Sequence, residues 1–189
     1  MEAGLSYKHI LLTGPPGIGK TTVVRKVYEK LKEYNTIRTK GFYTEEIKSG
    51  GKRIGFDICS LDGRRGPLAR ISSGGSDGPR VGQYVVNLSS FENLALPALE
   101  TDNSLPTVLI IDEIGKMELF STCFRQSVKE QFGRSPSLKI LATVPVRSRG
   151  KPLSFVEDLK KRNDVEIYVV TKDNRDEVVA EIAEKLVSN

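Results

Sequence analysis

Residues 14–21 read Gly-Pro-Pro-Gly-Ile-Gly-Lys-Thr and match the phosphate-binding pattern G-x-x-x-x-G-K-[ST] in full. The three glycines let successive backbone N–H groups turn toward phosphate oxygens, where side chains would obstruct the approach. Lys20 can reach the β- and γ-phosphates of a nucleotide, the Thr21 hydroxyl can bind Mg²⁺, and Thr22 can contact the α-phosphate. The pattern predicts a nucleotide-binding loop made of Gly14, Pro15, Pro16, Gly17, Ile18, Gly19, Lys20, Thr21 and Thr22.

A pair of acidic residues follows an apolar segment later in the chain. Residues 108–111 are β-branched or leucine, as in a buried strand of a parallel sheet, and Asp112 and Glu113 come next. Asp112 can hold Mg²⁺ through water, and Glu113 can accept a proton from the water that attacks the γ-phosphorus. We therefore predict Lys20 and Glu113 as catalytic residues, and Thr21 and Asp112 as metal ligands. An ordinary strand end with two exposed carboxylates is the alternative.

Residues 48–80 form a glycine-rich and positively charged segment. It contains eight of the 17 glycines and seven basic residues against three acidic ones. A mobile loop of this kind can bring a guanidinium group to the phosphoryl group that is transferred. A solvated basic loop is the alternative for each arginine. The candidates are Arg64, Arg65, Arg70 and Arg80.

Several other basic and aromatic side chains have both a functional and a structural interpretation. Four further basic residues either contact phosphate or lie on a solvated surface, namely Lys116, Arg147, Arg149 and Lys151. Tyr43 and Tyr84 can stack on a base, although packing in the core is the favoured reading for aromatic residues in this chain.

Short apolar segments alternate with helical patterns along the chain. Residues 9–13 predict a strand before the loop, and the apolar spacing from Lys20 onward predicts a helix after it. Residues 42–61 flank Ser49-Gly50-Gly51 and predict a β-hairpin. Further strands are predicted at 84–87, 108–111, 140–144 and 166–170.

Three more helices are predicted between and after these strands. One opens with Ser89 and Glu92 as a capping box, the next begins near Glu118 and ends at Gly133, and the last opens with Asn174 and Glu177 as a second capping box. Together the elements predict a three-layer α/β sandwich of the P-loop NTPase kind, with a mostly parallel central sheet and an inserted β-hairpin. The whole chain, 1–189, is predicted to be a single domain, with the hairpin and the Gly/Arg-rich insertion at about 42–80.

Composition excludes several classes of function. The 189 residues carry a net charge of +5, with 38% hydrophobic residues, which favours a folded domain over a disordered chain. Cys59 and Cys123 form no CxxC pair and His9 is the single histidine, so zinc or histidine-cluster chemistry is not indicated. No apolar stretch approaches the ~18 residues of a membrane span. We expect a cytoplasmic protein without a membrane partner.

The chain also resembles a known family in five segments: GPPGIGKTT, GFYTEEIKSGGKRIGFDI, RVGQYVVNL, IIDEIGKMELF and GKPL. These segments are similar to those of the cancer-related nucleoside-triphosphatase family, from about Lys8 to the last helix. The resemblance implies a small Mg²⁺-dependent enzyme that hydrolyses several nucleoside triphosphates to diphosphate and phosphate. It places residues 14–21 and 108–115 at the nucleotide, which adds Gly115 to the nucleotide-binding set.

Three hypotheses about function follow. The first is hydrolysis of ATP, GTP, CTP and UTP with weak base selectivity, because the recognised residues all address the shared triphosphate. The second is a small-molecule or nucleotide kinase that uses the same loop, with the glycine-rich segment as a lid. The third is a nucleotide-gated RNA or protein binding module. A nucleic-acid partner is disfavoured because neither a stacking motif nor a long basic face is present. The oligomeric state is not determined by these patterns.

Overall fold

The structure is a computed structural model that describes residues 8–72, 77–102, 104–134, 136–146 and 152–188. Within these residues the chain forms nine β-strands and five α-helices. The strands are β1 His9–Thr13, β2 Arg38–Ser49, β3 Lys52–Ser60, β4 Arg65–Ile71, β5 Arg80–Val81, β6 Tyr84–Val86, β7 Thr107–Ile111, β8 Leu138–Thr143 and β9 Val165–Val169. The helices are α1 Lys20–Leu31, α2 Leu88–Leu99, α3 Thr122–Phe132, α4 Ser154–Lys160 and α5 Val178–Val187.

All nine strands belong to one sheet in the order β5-β6-β4-β3-β2-β7-β8-β1-β9. Strands β2, β7, β8, β1 and β9 pair in parallel, so their carboxyl ends lie at one edge, which we call the carboxyl edge. Strands β3, β4, β6 and β5 continue the sheet with antiparallel pairing, and we call them the antiparallel extension.

Strand β2 connects the two halves of the sheet because it is longer than its parallel neighbour. Its first five residues, 38–42, pair with β7, and the remainder continues past the end of β7 and pairs with β3. The predicted hairpin at Ser49-Gly50-Gly51 is therefore present, and it is continuous with the central sheet. This continuity brings residues 43–46 of β2 over the carboxyl edge.

Two apolar layers cover the faces of the sheet. On one face, α2, α3 and α4 pack through a cluster that includes Phe42, Phe91 and Phe124, whose ring centroids are 5.0–6.0 Å apart. On the other face, α1 and α5 bury a second cluster of Val, Ile and Leu side chains. Helices on both faces of the sheet confirm the α/β sandwich, and parallel strands buried on both sides account for the apolar segments at β1 and β7.

The predicted start of one helix and the predicted capping boxes of two others are wrong. Glu118 lies in a short 3₁₀ turn, Glu118–Phe120, and α3 begins only after Ser121, whose hydroxyl accepts a hydrogen bond from the Phe124 N–H. Helix α2 is capped by Asn87, while Glu92 accepts a hydrogen bond from the Ser121 hydroxyl at 2.5 Å.

At the third start, the Asn174 side chain bonds Thr171 and Val169, and α5 begins later, at Val178. In each case a polar side chain near the predicted start forms a hydrogen bond with a group that the local sequence pattern does not identify.

The described residues include no helix that is long and apolar enough to cross a membrane. His9, the single histidine, lies fully buried at the amino end of β1. Its Nδ1 accepts a hydrogen bond from the Ile140 N–H, and its ring packs edge-on against Phe132. It therefore lies at the end of β1 away from the phosphate-binding loop.

Candidate active site

The carboxyl edge gathers the ends of four neighbouring parallel strands. Strand β1 leads into the phosphate-binding loop, β7 ends before Asp112, and β8 ends at Thr143. Strand β9 ends beside the loop, because the Val170 N–H donates to the Thr13 carbonyl at 2.8 Å. Open α/β sheets bind ligands at this edge, so the fold itself brings the two predicted motifs together.

Two glycines of the phosphate-binding loop are required by its geometry. A Cβ on Gly14 would lie 2.8 Å from the Val170 carbonyl oxygen, so the loop passes too close to the end of β9 for a side chain. Gly19 has φ 109° and stands immediately before α1, and the first N–H groups of a helix have no partner within the helix. A left-handed residue followed by a helix N-terminus is a suitable anion site.

Lys20 lies folded over this loop. Its Nζ donates to the carbonyl oxygen of Gly14 at 3.1 Å and lies 3.9 Å from Glu113 Oε2. The side chain is only 10% exposed, so the ammonium group sits inside the site. A phosphate oxygen carries negative charge and is a stronger acceptor for this ammonium group than a backbone carbonyl oxygen.

Asp112 is buried and hydrogen-bonded on several sides. Its Oδ1 accepts from the Thr143 hydroxyl at 2.5 Å. The Thr21 hydroxyl is near enough to lower the pKa of the carboxyl group. The Thr44 N–H approaches Oδ2 at 3.5 Å. Burial raises the pKa of Asp112 above its ordinary range, against the opposing effect of these donors and of Lys20.

Glu113 is next to Asp112 and is partly exposed. Burial raises its pKa, Lys20 opposes this, and the negative charge of Asp112 raises it further. A raised pKa moves a carboxylate toward the basicity that a general base needs near neutral pH. The position beside Lys20 and the electrostatics both suit the predicted proton acceptor.

Glu118 is a further acidic group of the site, and the sequence reasoning did not assign it a role. It is 4% exposed, and its Oε2 accepts a hydrogen bond from the Gly115 N–H at 3.1 Å. Burial raises its pKa to about 8, and the charge of Glu113 contributes to the same shift. Its spacing of three from Gly115 is the available signal, because Glu at this spacing can bond back to a backbone N–H.

Strand β2 adds residues that the sequence reasoning also missed. Thr44 approaches Asp112, and its neighbour Glu45 pairs with Arg25 of α1 at 3.1 Å and with Arg65 of β4 at 2.8 Å. Both residues lie in the segment GFYTEE, which was noted for the family resemblance without roles for its members.

The four arginines of the glycine-rich segment have separate positions. Arg64 pairs with Asp62, and Arg70 pairs with Asp57. Arg65 pairs with Asp57 at 2.6 Å and also with Glu45, which contacts α1. Arg80 lies on β5, seven strands from β1, which is roughly 34 Å at ~4.8 Å per strand. Arg65 is therefore the arginine of this set that is linked to the carboxyl edge, through its ion pair with Glu45.

The remaining candidates differ in exposure. Lys116 is exposed in the turn after Gly115. Tyr84 is buried against Phe56 and accepts a hydrogen bond from Arg53, which supports the core reading. Tyr43 lies beside Arg25 on α1, 5.0 Å from guanidinium carbon to ring centroid. The cluster Arg147, Arg149 and Lys151 lies outside the described residues.

Two cavities lie along α1 next to the loop. The smaller, about 300 Å³, is lined by residues that include Gly19, Thr22, Lys26 and Arg175. The larger, about 650 Å³, shares Thr22 and extends to Tyr43. Arg175 approaches the loop closely, since its Cδ lies 3.8 Å from where a Cβ on Gly19 would be. These cavities provide room beside the loop for the nucleoside part of a ligand.

The donor set at the loop fits Mg²⁺. The hydroxyl oxygen of Thr21 and the buried carboxylate of Asp112 lie near one another, and both are hard oxygen ligands. No group of three or more His, Cys, Asp or Glu side chains that could enclose a metal occurs in the described part of the chain. Mg²⁺ keeps several waters and binds through one or two protein oxygens plus phosphates, so a two-residue donor set suits it.

Comparison with known proteins identifies the relatives of this chain. A family model described as "NTPase" matches residues 9–183. The cancer-related nucleoside-triphosphatase of Homo sapiens is 50% identical over 182 residues, covering 93% of this chain and 94% of the relative.

Two solved structures are similar as well. The solution structure of a human cancer-related nucleoside triphosphatase has a TM-score of 0.82 at 47% identity, covering 96% of this chain and 98% of that one. The crystal structure of THEP1 from the hyperthermophile Aquifex aeolicus has a TM-score of 0.80 at 35% identity, covering 95% and 99%. The resemblance seen in the five sequence segments is thereby confirmed.

Proposed function

The chain belongs to the NTPase family and is a nucleoside-triphosphatase, and we propose that it cleaves the terminal phosphoanhydride in a Mg²⁺-dependent reaction with weak base selectivity. One observation carries the proposed mechanism. The ammonium group of Lys20 lies 3.9 Å from the carboxylate of Glu113. Thr21 is the next residue of α1, and its hydroxyl is near enough to Asp112 to lower the pKa of that carboxyl group. Cation, proton acceptor and metal ligands thus share one edge of the sheet.

Phosphate binding is assigned to the loop and to Lys20. The backbone N–H groups at the start of α1 face the phosphates, and the helix N-terminus adds partial positive charge. Lys20 exchanges the carbonyl oxygens of Gly14 and Pro15 for phosphate oxygens. When bound, Mg²⁺ supplies neutralisation of the charge that develops on the phosphate oxygens, held by Thr21 and Asp112.

Water activation is assigned to Glu113. The carboxylate accepts a proton from, or orients, the attacking water, and Lys20 keeps part of its negative charge balanced. The products are the nucleoside diphosphate and phosphate. Gly115 remains in the proposed nucleotide-binding set because it lies in the turn that carries Glu113.

Weak base selectivity is supported by the residues beside the loop. Lys26, Arg175 and Asp176 line the smaller cavity, and all three are exposed side chains. Lys26 and Asp176 already form an ion pair at 2.6 Å. Strong base discrimination requires buried polar groups matched to one base edge, whereas exposed groups and stacking contribute about 1–3 kcal/mol.

A cytoplasmic location is proposed from cysteine chemistry. Cys59 and Cys123 are both free thiols in the structure, and Cys123 is exposed. Free thiols persist in a reducing compartment.

The test is phosphate release from ATP, GTP, CTP and UTP, measured with Mg²⁺ and with EDTA, and with and without candidate small-molecule acceptors. We expect kcat/KM values within about two orders of magnitude of one another, because 1–3 kcal/mol corresponds to this range. A single accepted base would contradict the selectivity proposal. Release of a phosphorylated acceptor in place of phosphate would favour the kinase hypothesis, and retention on RNA that depends on salt and nucleotide would favour the binding module.

A further inference from the structure

The turn between Glu113 and Glu118 is closed by hydrogen bonds at both ends. The Ile114 N–H donates to the Thr143 carbonyl at 2.9 Å, which ties the start of the turn to β8. Glu118 accepts from the Gly115 N–H, and the Leu119 N–H donates to the Gly115 carbonyl at 3.0 Å. Both backbone polar groups of Gly115 are therefore held from within the turn.

The missing side chain of Gly115 leaves the space that Glu113 occupies. A Cβ on Gly115 would clash with Glu113 Oε1 and would lie 3.2 Å from its Cδ and 3.1 Å from Glu118 Oε2. Gly115 does not have a positive φ, so its backbone would accept alanine. A Cβ at this position would therefore displace the ends of the two carboxyl side chains and not the backbone.

We propose that Gly115 and Glu118 are positioning residues for Glu113: Glu118 holds the Gly115 N–H, and the bare face of Gly115 seats the Glu113 carboxylate toward Lys20. This inference rests on the proposed function, in which Glu113 activates water. It gives Gly115 a role beyond contact with the nucleotide, because the absence of a side chain at this position leaves room for the proton acceptor. It also gives a role to Glu118, which the mechanism above does not use.

The charge state of Glu118 suits this role. Its pKa of about 8 keeps the carboxyl group mostly neutral at pH 7, so Glu118 supports the turn without a second full negative charge beside Glu113. A neutral carboxyl still accepts the Gly115 N–H through an oxygen. Glutamine offers the same acceptor at nearly the same size, whereas leucine leaves the buried N–H without it.

The experiment compares Gly115→Ala, Glu118→Gln and Glu118→Leu with two controls. Gly133→Ala adds a Cβ at a helix end whose nearest neighbour would be 3.6 Å away, an ordinary contact. Glu92→Gln changes a glutamate that supports the N-cap of α3 through Ser121. Turnover is measured by phosphate release, and affinity by binding of the Mg²⁺ complex of β,γ-imido-ATP.

We expect Gly115→Ala and Glu118→Leu to lower kcat by about tenfold or more, since displacement of a catalytic group by ~1 Å can cost up to 10²-fold. Affinity for β,γ-imido-ATP should change by less than about threefold, because Lys20 and the loop are unchanged. Glu118→Gln and both controls should keep kcat within about threefold of wild type. If Glu118→Leu does not fold, Gly115→Ala still tests the inference.

A double-mutant cycle with Glu113→Gln separates positioning from a purely structural role. If Gly115 acts through Glu113, Gly115→Ala should add little to the loss in the Glu113→Gln background. The inference is overturned if Gly115→Ala turns over at the wild-type rate, or if its effect adds in full to that of Glu113→Gln. Wild-type turnover of Glu113→Gln itself would instead show that the proposed role of Glu113 is wrong, and the inference would fall with it.

Discussion

The carboxyl edge and the antiparallel extension both hold buried carboxylates, and their surroundings shift the pKa values in opposite directions. At the edge, burial raises the pKa of Asp112 and Glu113, and the cation that opposes this is Lys20. In the extension, burial also raises the pKa of Asp57, but hydrogen bonds from Arg65 and Arg70 outweigh it, and the pKa is lowered.

This difference distinguishes a site that can bind charged ligands from a region whose charges are already paired within the fold. Asp57 has its counter-ions already, so its charge is satisfied within the folded chain. At the edge, two adjacent carboxylates share one lysine, and that lysine also bonds loop carbonyls. Negative side-chain charge therefore exceeds positive charge at this edge. Such a site can bind a divalent cation, together with the phosphates that the cation neutralises.

The largest expected loss of activity is at the phosphate-binding loop, where Lys20 is the lysine that the two carboxylates share. We expect Lys20→Ala and Thr21→Ala to abolish hydrolysis, because one removes the phosphate-bound cation and the other a Mg²⁺ ligand. Phosphate release at saturating nucleotide and Mg²⁺ measures this, with Lys129→Ala, exposed in the last turn of α3, as the matched control. Wild-type turnover by Lys20→Ala would refute the phosphate-binding assignment.

Substitutions at the two adjacent carboxylates should impair hydrolysis in different ways. Glu113→Gln keeps size and hydrogen bonding but loses the base, so kcat should fall by ~10²-fold or more while nucleotide still binds. Asp112→Asn should instead raise the Mg²⁺ concentration needed for half-maximal turnover. Titration of each variant with Mg²⁺, together with binding of β,γ-imido-ATP, distinguishes them. Identical behaviour of the two variants would contradict the separate roles.

Arginine substitutions in the antiparallel extension test whether this region contributes to catalysis. Arg65 contacts Glu45, which contacts α1, so we expect Arg65→Ala to lower kcat by about tenfold with little change in affinity, as for a residue that acts mainly in the transition state. Arg64→Ala, Arg70→Ala and Arg80→Ala should stay within a few-fold of wild type. Equal, small effects at all four would show that the segment is purely structural.

Asp57 should affect stability more than activity. It is 8% exposed, and Asp57→Asn leaves Arg65 and Arg70 with a weaker partner, so we expect a loss of roughly 1–2 kcal/mol in the free energy of unfolding. Its folded pKa is below the ordinary value of 3.8, so the unfolded chain binds the proton first. The stabilisation is therefore complete well above pH 4 and is lost as pH falls through the folded pKa.

Urea unfolding of wild type and Asp57→Asn between pH 3 and pH 7 measures this effect, with phosphate release at pH 7 as the activity control. The difference in stability between the two proteins should be constant near neutral pH and shrink in acid. A difference that grows as pH falls would mean that the arginine contacts do not dominate at Asp57.

The sequence alone was sufficient for the loop between β1 and α1, the strand before Asp112 and the α/β class. Each of these depends on short-range patterns: glycine spacing at residues 14–19, apolar segments at buried parallel strands, and helical spacing in α1. The hairpin at Gly50-Gly51 was predictable for the same reason, because the turn and its two strands are adjacent in sequence.

Contacts between distant residues were decided by the tertiary structure. Thr44, Thr143 and Glu118 converge on the acidic pair only because β2, β8 and the turn after β7 meet at one edge. Arg65 and Arg70 were assigned to a mobile or solvated loop. Both instead lie on β4 and bond Asp57, since the register of β3 and β4 places their charges together. Hydrogen-bond partners and pKa shifts depend on which groups burial brings together across the fold, and local spacing in the chain carries little of that information.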